Sequence, residues 1–226
     1  MRIRRKKRLN ERLETVADYL VVADKEVLNV SEAIKEKAFF DFVELFNNGN
    51  PVSVEIGCGK GGYICSLASS LKNENFFAVE MLENIILSGM EEAKTLGLKN
   101  LLFINSGAEY LPKYFADESV SNIMLNFSPP YPKKVNENRR LTNARNVFNY
   151  YKMLKRGGSV FQKTDDKEFF EYSKEKLTEA GFVVYDFSDA DCENELPVNL
   201  KIETEYEKKF SMLGMKIYRL KACKPL

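Results

Sequence analysis

The chain has 226 residues, 44% hydrophobic and 30% charged, with a net charge of +1, which suits one soluble domain with a full core. It has no histidine, which excludes a Ser-His-Asp triad, a histidine base and a histidine-ligated metal; its four cysteines form no CxxC pair, so neither zinc nor disulfides are expected. No apolar run reaches the ~18 residues that cross a bilayer, and the opening lacks the apolar stretch of a signal peptide, so a cytoplasmic protein without a membrane segment is expected.

Residues 1–12 carry seven cations (Arg2, Arg4, Arg5, Lys6, Lys7, Arg8, Arg12) against Glu11, and residues 1–30 read as a basic N-terminal segment ahead of a single domain, 31–226. Ser31 is a good N-cap, Glu32 sits in the first turn, and Ile34, Ala38, Phe42 and Leu45 share a face, which predicts a helix from Ser31 to Phe46. Short apolar runs at 52–56, 76–79, 101–104, 123–127, 159–161 and 182–187 read as strands, and 61–71, 82–96, 141–155 and 166–180 as helices. Gly157-Gly158 and Gly181 are placed to close the last two helices. A polar loop at 188–199, a helix near 203–212 and a final strand at 216–221 complete the chain. Such alternation implies a mainly parallel, doubly wound α/β sheet. A second basic run (Lys133, Lys134, Arg139, Arg140, Arg145) adds to the first, and two dense positive fields suit a phosphate backbone.

The first predicted strand runs into Glu55-Ile56-Gly57-Cys58-Gly59-Lys60-Gly61-Gly62, where an open α/β sheet binds its ligand. Glycines there permit a sharp turn and close approach of backbone amides at a helix N-terminus. Glu80, 19 residues after Gly61 and closing the next strand, can grip two ribose hydroxyls. The spacing Gly57-x-Gly59-x-x-Gly62 also fits a dinucleotide fingerprint. Glu55, however, would set a negative charge beside a pyrophosphate and suits a cationic ligand such as S-adenosylmethionine. Glu-x-Gly-x-Gly-x-Gly resembles motif I of the Rossmann-like methyltransferases.

After the fourth strand come Leu125-Asn126-Phe127-Ser128-Pro129-Pro130-Tyr131-Pro132-Lys133-Lys134 and Asn138-Arg139-Arg140. The run resembles the signature loop of bacterial tRNA (guanine-N7)-methyltransferases, Phe-x-Asp-Pro-Trp-Pro-Lys-Lys followed by Arg-Arg. The basic N-terminus, Lys163-Thr164-Asp165 and Thr204-Glu205-Tyr206-Glu207 resemble further motifs of that family in the same order. The resemblance implies a class I methyltransferase with a mainly parallel seven-stranded sheet, helices on both faces and the last strand antiparallel. It implies S-adenosylmethionine as cofactor, tRNA as partner, and N7 of a variable-loop guanine as the methyl acceptor.

Carried over by position, Glu55, Gly57, Gly59, Gly61, Glu80, Ala108, Glu109 and Asn126 would hold the cofactor. Lys133, Lys134, Arg139, Arg140, Asp165, Thr204, Glu205, Tyr206 and Glu207 would bind the substrate. Two positions depart from the family: Pro129 stands where it has Asp, with Tyr131 for Trp, and Gly107 stands where it has Asp before Ala-Glu. No catalytic residue is therefore assigned, and Asp165 and Glu207 are the candidates for orienting guanine. Guanine N7 carries no proton, so methyl transfer requires alignment rather than a general base.

Two other readings stay open. Ser128-Pro129-Pro130-Tyr131 fits the loop of methyltransferases acting on exocyclic amines of adenine or cytosine, and the two missing acids fit a weak or inactive tRNA-binding relative. Tyr131 either stacks on an unpaired base or packs under its own loop. No metal is implied, and the assembly is expected to be a monomer or a homodimer.

Overall fold

The structure is a computed structural model and describes residues 6–23, 30–188 and 196–226. Its strands are β1 (Leu20–Ala23), β2 (Val52–Ile56), β3 (Asn75–Val79), β4 (Leu101–Asn105), β5 (Val120–Asn126), β6 (Leu154–Thr164), β7 (Val183–Asp186) and β8 (Tyr218–Cys223). Its helices are α1 (Leu9–Glu14), α2 (Val30–Ala33), α3 (Phe42–Phe46), α4 (Gly62–Ser70), α5 (Glu83–Thr95), α6 (Leu111–Tyr114), α7 (Ala144–Met153), α8 (Lys167–Glu179), α9 (Val198–Lys201) and α10 (Glu205–Met212). No helix among the described residues is long and apolar enough to cross a membrane.

The strands form one sheet in the order β1-β4-β3-β2-β5-β6-β8-β7. Among the described residues only β8 runs antiparallel to its neighbours, β6 and β7. Strand residues alternate between two cores, as a doubly covered sheet requires. Val54, Phe77 and Val79 pack with α3, α7 and α8, while Phe76, Ala78 and Phe103 pack with α4 and α5. The chain builds outward from β2 through β3 to β4, then returns to the other side of β2 with β5. This reversal opens a crevice at the carboxyl ends of β2 and β5, the place where such sheets bind ligands.

The structure differs from the sequence expectations in three places. Among the described residues the sheet has eight strands rather than the seven expected, because Leu20 to Ala23, inside the segment read as a basic N-terminal stretch, pair in parallel with β4. The helix expected over 31–46 is broken into α2 and α3. Between them Phe40 leaves the helical path to stack on Phe77 and Tyr114 at 5.3 and 5.2 Å, while Ala38 and Phe40 donate N–H bonds to the Lys113 and Tyr114 carbonyls. Packing a half-buried aromatic ring against the core outweighs a turn of helix, and Asp41 then caps α3 by accepting from Val43 and Glu44.

Gly157-Gly158 do not close a helix but lie inside β6. The Gly157 N–H bonds to the Lys224 carbonyl, and a Cβ on Gly158 would stand 2.8 Å from the Ser121 carbonyl, where the β5 and β6 register slips. Gly181 does end α8, with φ of +95°.

Candidate active site

β2 delivers the chain into the glycine turn, which the neighbouring strand holds: the Gly57 and Cys58 N–H groups both donate to the Val79 carbonyl, at 2.8 and 3.0 Å. The turn passes through left-handed backbone at Gly57, Gly59 and Gly61. At Gly61 glycine is demanded twice, since φ is +83° and a Cβ would lie 2.6 Å from the Gly89 Cα of α5. That glycine-on-glycine contact lets α4 start close against α5. Glu80, at the end of β3, closes the turn, its two oxygens accepting from the Gly59 N–H at 3.2 Å and the Leu82 N–H at 3.0 Å.

Glu55 is 2% exposed on the crevice-facing strand β2. Its Oε1 accepts from the Asn126 amide of β5 at 2.9 Å, so the two strands flanking the reversal are bridged by the residues expected to hold a ligand. Its Oε2 is buried without a partner. Burial pushes the Glu55 carboxyl up to about 7, against the pull of the Asn126 hydrogen bond and of the Lys163 charge. A buried acid lacking half its partners fits a cationic group delivered by a ligand.

Past β4, Ala108 is buried and Glu109 half-buried. A Cβ on Gly107 would stand 2.6 Å from the Glu109 carboxylate, so the Glu109 side chain folds into the space that a larger residue at 107 would occupy.

The proline loop has a set shape. Phe127 and Tyr131 bracket it with φ of +48° and +42°, conformations uncommon for non-glycine residues and frequent at ligand-binding loops. Arg140 fixes that shape by donating to the Pro130 and Tyr131 carbonyls at 2.8 and 3.1 Å, and its guanidinium lies 4.2 Å from the Tyr172 ring centre. Tyr131 packs beneath the Arg139 guanidinium at 4.7 Å. Lys133 and Lys134 stay exposed, as does Pro129.

The C-terminal motif closes the far side. Thr204 caps α10 in a reciprocal box with Glu207. Glu205 reaches the glycine turn through an ion pair with Lys60 at 3.3 Å, and Tyr206 is exposed beside Phe127. Glu207 instead turns inward, pairing with Lys163 and Arg219 at 2.7 Å each. Asp165 stands half-buried just past β6, while Asp166 caps α8.

The crevice therefore gathers Glu55, the glycine turn, Glu80 and Asn126, and the C-terminal motif reaches it through Glu205. Arg140 and Glu207 are engaged by the fold itself. Sequence reasoning quoted Lys163 within the Lys163-Thr164-Asp165 motif but gave it no role, and missed both its pairing with Glu207 and the part played by Arg219. At the basic N-terminus, the Lys6 N–H donates to the Asn84 side chain at 2.5 Å and its ammonium meets Ser88, while Arg12 forks onto Glu91 at 2.7 and 2.6 Å. Arg2, Arg4 and Arg5 lie outside the described residues.

A family described as "Putative methyltransferase" matches residues 49–220. The tRNA (guanine-N(7)-)-methyltransferase of Oceanobacillus iheyensis is 39% identical over 186 residues, covering 79% of this chain and 83% of that protein. The protein of the same name from Listeria monocytogenes is 38% identical, with 79% and 83% covered. Among solved structures, the 16S rRNA methyltransferase KamB superposes with a TM-score of 0.61 at 16% identity, over 84% of this chain and 96% of its own, a likeness of fold.

Proposed function

The chain belongs to the tRNA (guanine-N7)-methyltransferase family, and from that premise we propose that it transfers a methyl group from S-adenosylmethionine to N7 of a guanine in the variable loop of tRNA. The observation that carries the reading is the orphaned, buried Oε2 of Glu55 beside a glycine cradle. That donor set fits the cofactor: an acid with an open oxygen suits its ammonium, and a second acid suits its ribose. When bound, S-adenosylmethionine supplies a methyl group on a positively charged sulfur.

The chain's own residues then act by placement. Glu55, oriented by Asn126, holds the cationic amino end, and Glu80 accepts ribose hydroxyls with lone pairs that Gly59 and Leu82 leave open. Gly57, Gly59 and Gly61, whose N–H groups are held by Val79, Glu80 and Cys58 within the turn, contribute a surface without side chains that a ligand can approach closely, with Ala108 and Glu109 assigned to its far end. Lys133, Lys134 and Arg139 are exposed and hold phosphates, while Arg140 holds the loop that presents them.

Guanine N7 offers an in-plane lone pair without a proton to remove, so fixing nucleophile and methyl in line is the main task, worth roughly 7–11 kcal/mol in well-oriented systems. Asp165 is the acid we assign to accept from the guanine N1–H and N2–H, a choice supported by the lack of an acceptor side chain at Pro129 and by the engagement of both Glu207 oxygens with Lys163 and Arg219. The partner is tRNA and the setting the cytoplasm. Incubation with labelled cofactor and unmodified tRNA, followed by nucleoside identification, should yield 7-methylguanosine. Label on an exocyclic amine, or none on tRNA, would overturn the assignment.

A further inference from the structure

Three aromatic rings cluster beside the proline loop. Phe127 and Tyr206 lie 6.0 Å apart at 26°, Tyr206 and Phe210 6.2 Å apart at 25°, and Phe127 and Phe210 5.7 Å apart at 37°. Phe127 and Phe210 are half-buried, whereas Tyr206 is 56% exposed. Tyr206 is flanked by two residues that reach other parts of the fold, of which the buried Glu207 is the firm anchor. Glu205 before it is tied to Lys60 in the glycine turn, and Glu207 after it is locked to Lys163 and Arg219. Phe127 directly follows Asn126, the residue that holds Glu55. An exposed ring thus stands against Phe127, the residue that links the Asn126 end of β5 to the proline loop bearing Lys133 and Lys134.

We propose that Tyr206, backed by Phe127 and Phe210, is the platform on which the target guanine stacks once it leaves the tRNA helix, and that this platform favours the methylated purine. The proposal rests on the reading of guanine N7 as acceptor. An enzyme acting on a base takes it out of the stack, and an aromatic face replaces the stacking given up there. Stacking fixes the plane of the base and leaves in-plane rotation to a hydrogen-bonding acid, which is the division of labour that an in-plane lone pair requires. As the N7 lone pair forms the new N–C bond, the methyl–sulfur bond breaks and its electrons stay on sulfur. Positive charge thereby passes from sulfur to the purine ring. The π face of a tyrosine attracts such a cation more strongly than neutral guanine.

The chain contains no tryptophan, so Tyr206→Trp places a single indole reporter at the site. Unmodified tRNA should quench its emission, tRNA with an abasic site at the target guanine much less, and N7-methylated tRNA at a lower concentration than unmodified tRNA. Tyr206→Leu should lose about 5- to 100-fold in kcat/KM for tRNA, largely recovered in Tyr206→Phe, with cofactor affinity by calorimetry kept in each variant as the control for folding. Equal quenching by intact and abasic tRNA, or undiminished kcat/KM in Tyr206→Leu, would overturn the platform; quenching by unmodified tRNA at the lower concentration would overturn the cation preference. Quenching needs no turnover, so a wild-type protein that leaves guanine N7 unmethylated would refute the reaction while the platform is judged separately.

Discussion

Replacing Glu55 by Gln keeps the side-chain volume and removes one buried charge, so stability and ligand binding should move apart. The carboxyl is held from an ordinary 4.5 up to about 7 by burial. The folded state therefore binds its proton more tightly than the unfolded chain between those values. Stability falls as pH rises through that window, by about 3 kcal/mol at about 1.4 kcal/mol per pH unit. Gln cannot titrate. The difference in unfolding free energy between Glu55→Gln and the parent should shift by about 3 kcal/mol in the variant's favour from pH 4.5 to pH 8, whatever constant offset the new amide introduces.

Binding should run the other way. Removing a charge-assisted hydrogen bond weakens the cofactor by about 1.5–3 kcal/mol, roughly 10- to 150-fold. In the parent, the ionised fraction of Glu55 grows from about a tenth at pH 6 to about three quarters at pH 7.5, so affinity should rise about eightfold over that interval and stay flat in the variant. Urea titrations across the pH series measure the first effect and calorimetry the second. A pH-independent difference in stability, or undiminished cofactor affinity in the variant, would refute the assignment of Glu55 as a buried acid waiting for a cation.

Gly61→Ala should cost about 2–5 kcal/mol in chemical denaturation, since its Cβ would meet the Gly89 backbone at 2.6 Å in a left-handed conformation. Gly59→Ala, with open space around it, should cost only the backbone strain of about 1–2 kcal/mol. Glu207→Gln leaves Lys163, fully buried, and Arg219 without their carboxylate and should destabilise by about 3–5 kcal/mol in a urea melt. Asp165→Asn should stay within ~0.5 kcal/mol in the same melt yet lower kcat with tRNA. Replacing Lys133 and Lys134 by Ala should flatten the salt dependence of tRNA binding by about 0.7–0.9 log units for each phosphate no longer neutralised. Pro129→Asp should raise kcat/KM about tenfold by supplying a charged acceptor; an unchanged or lower rate would count against an acid at this position as the group that orients guanine.

The glycine turn was legible because left-handed backbone dictates its residues, and Glu55 and Glu80 because their charge and their spacing from that turn are set by the chemistry of the ligand. The proline loop was legible as a rigid element for the same reason. The inward turn of Glu207 was not, because its partners Lys163 and Arg219 lie 44 and 12 residues away and meet it only when β6, β8 and α10 pack. The break between α2 and α3 was hidden by a helical pattern in which Ile34, Ala38 and Phe42 align, while the deciding residue, Phe40, lies off that face and packs against the core through Phe77 and Tyr114. The strand β1 escaped notice because four apolar residues following a basic run carry too little periodicity to stand apart.

Arg140 has a consequence for how charge near the crevice is counted. Its guanidinium grips two peptide oxygens and an aromatic face, interactions that act at short range and that dissolved ions barely weaken. Arg12 is paired with the Glu91 carboxylate, whereas Arg140 keeps its full charge because its partners are neutral. Arg140 is therefore both a rivet for the loop and, with Lys133 and Lys134, part of the positive field that draws a polyanion. Brine strong enough to strip tRNA from the surface should leave the loop in its docking shape, ready to recapture nucleic acid on dilution without refolding.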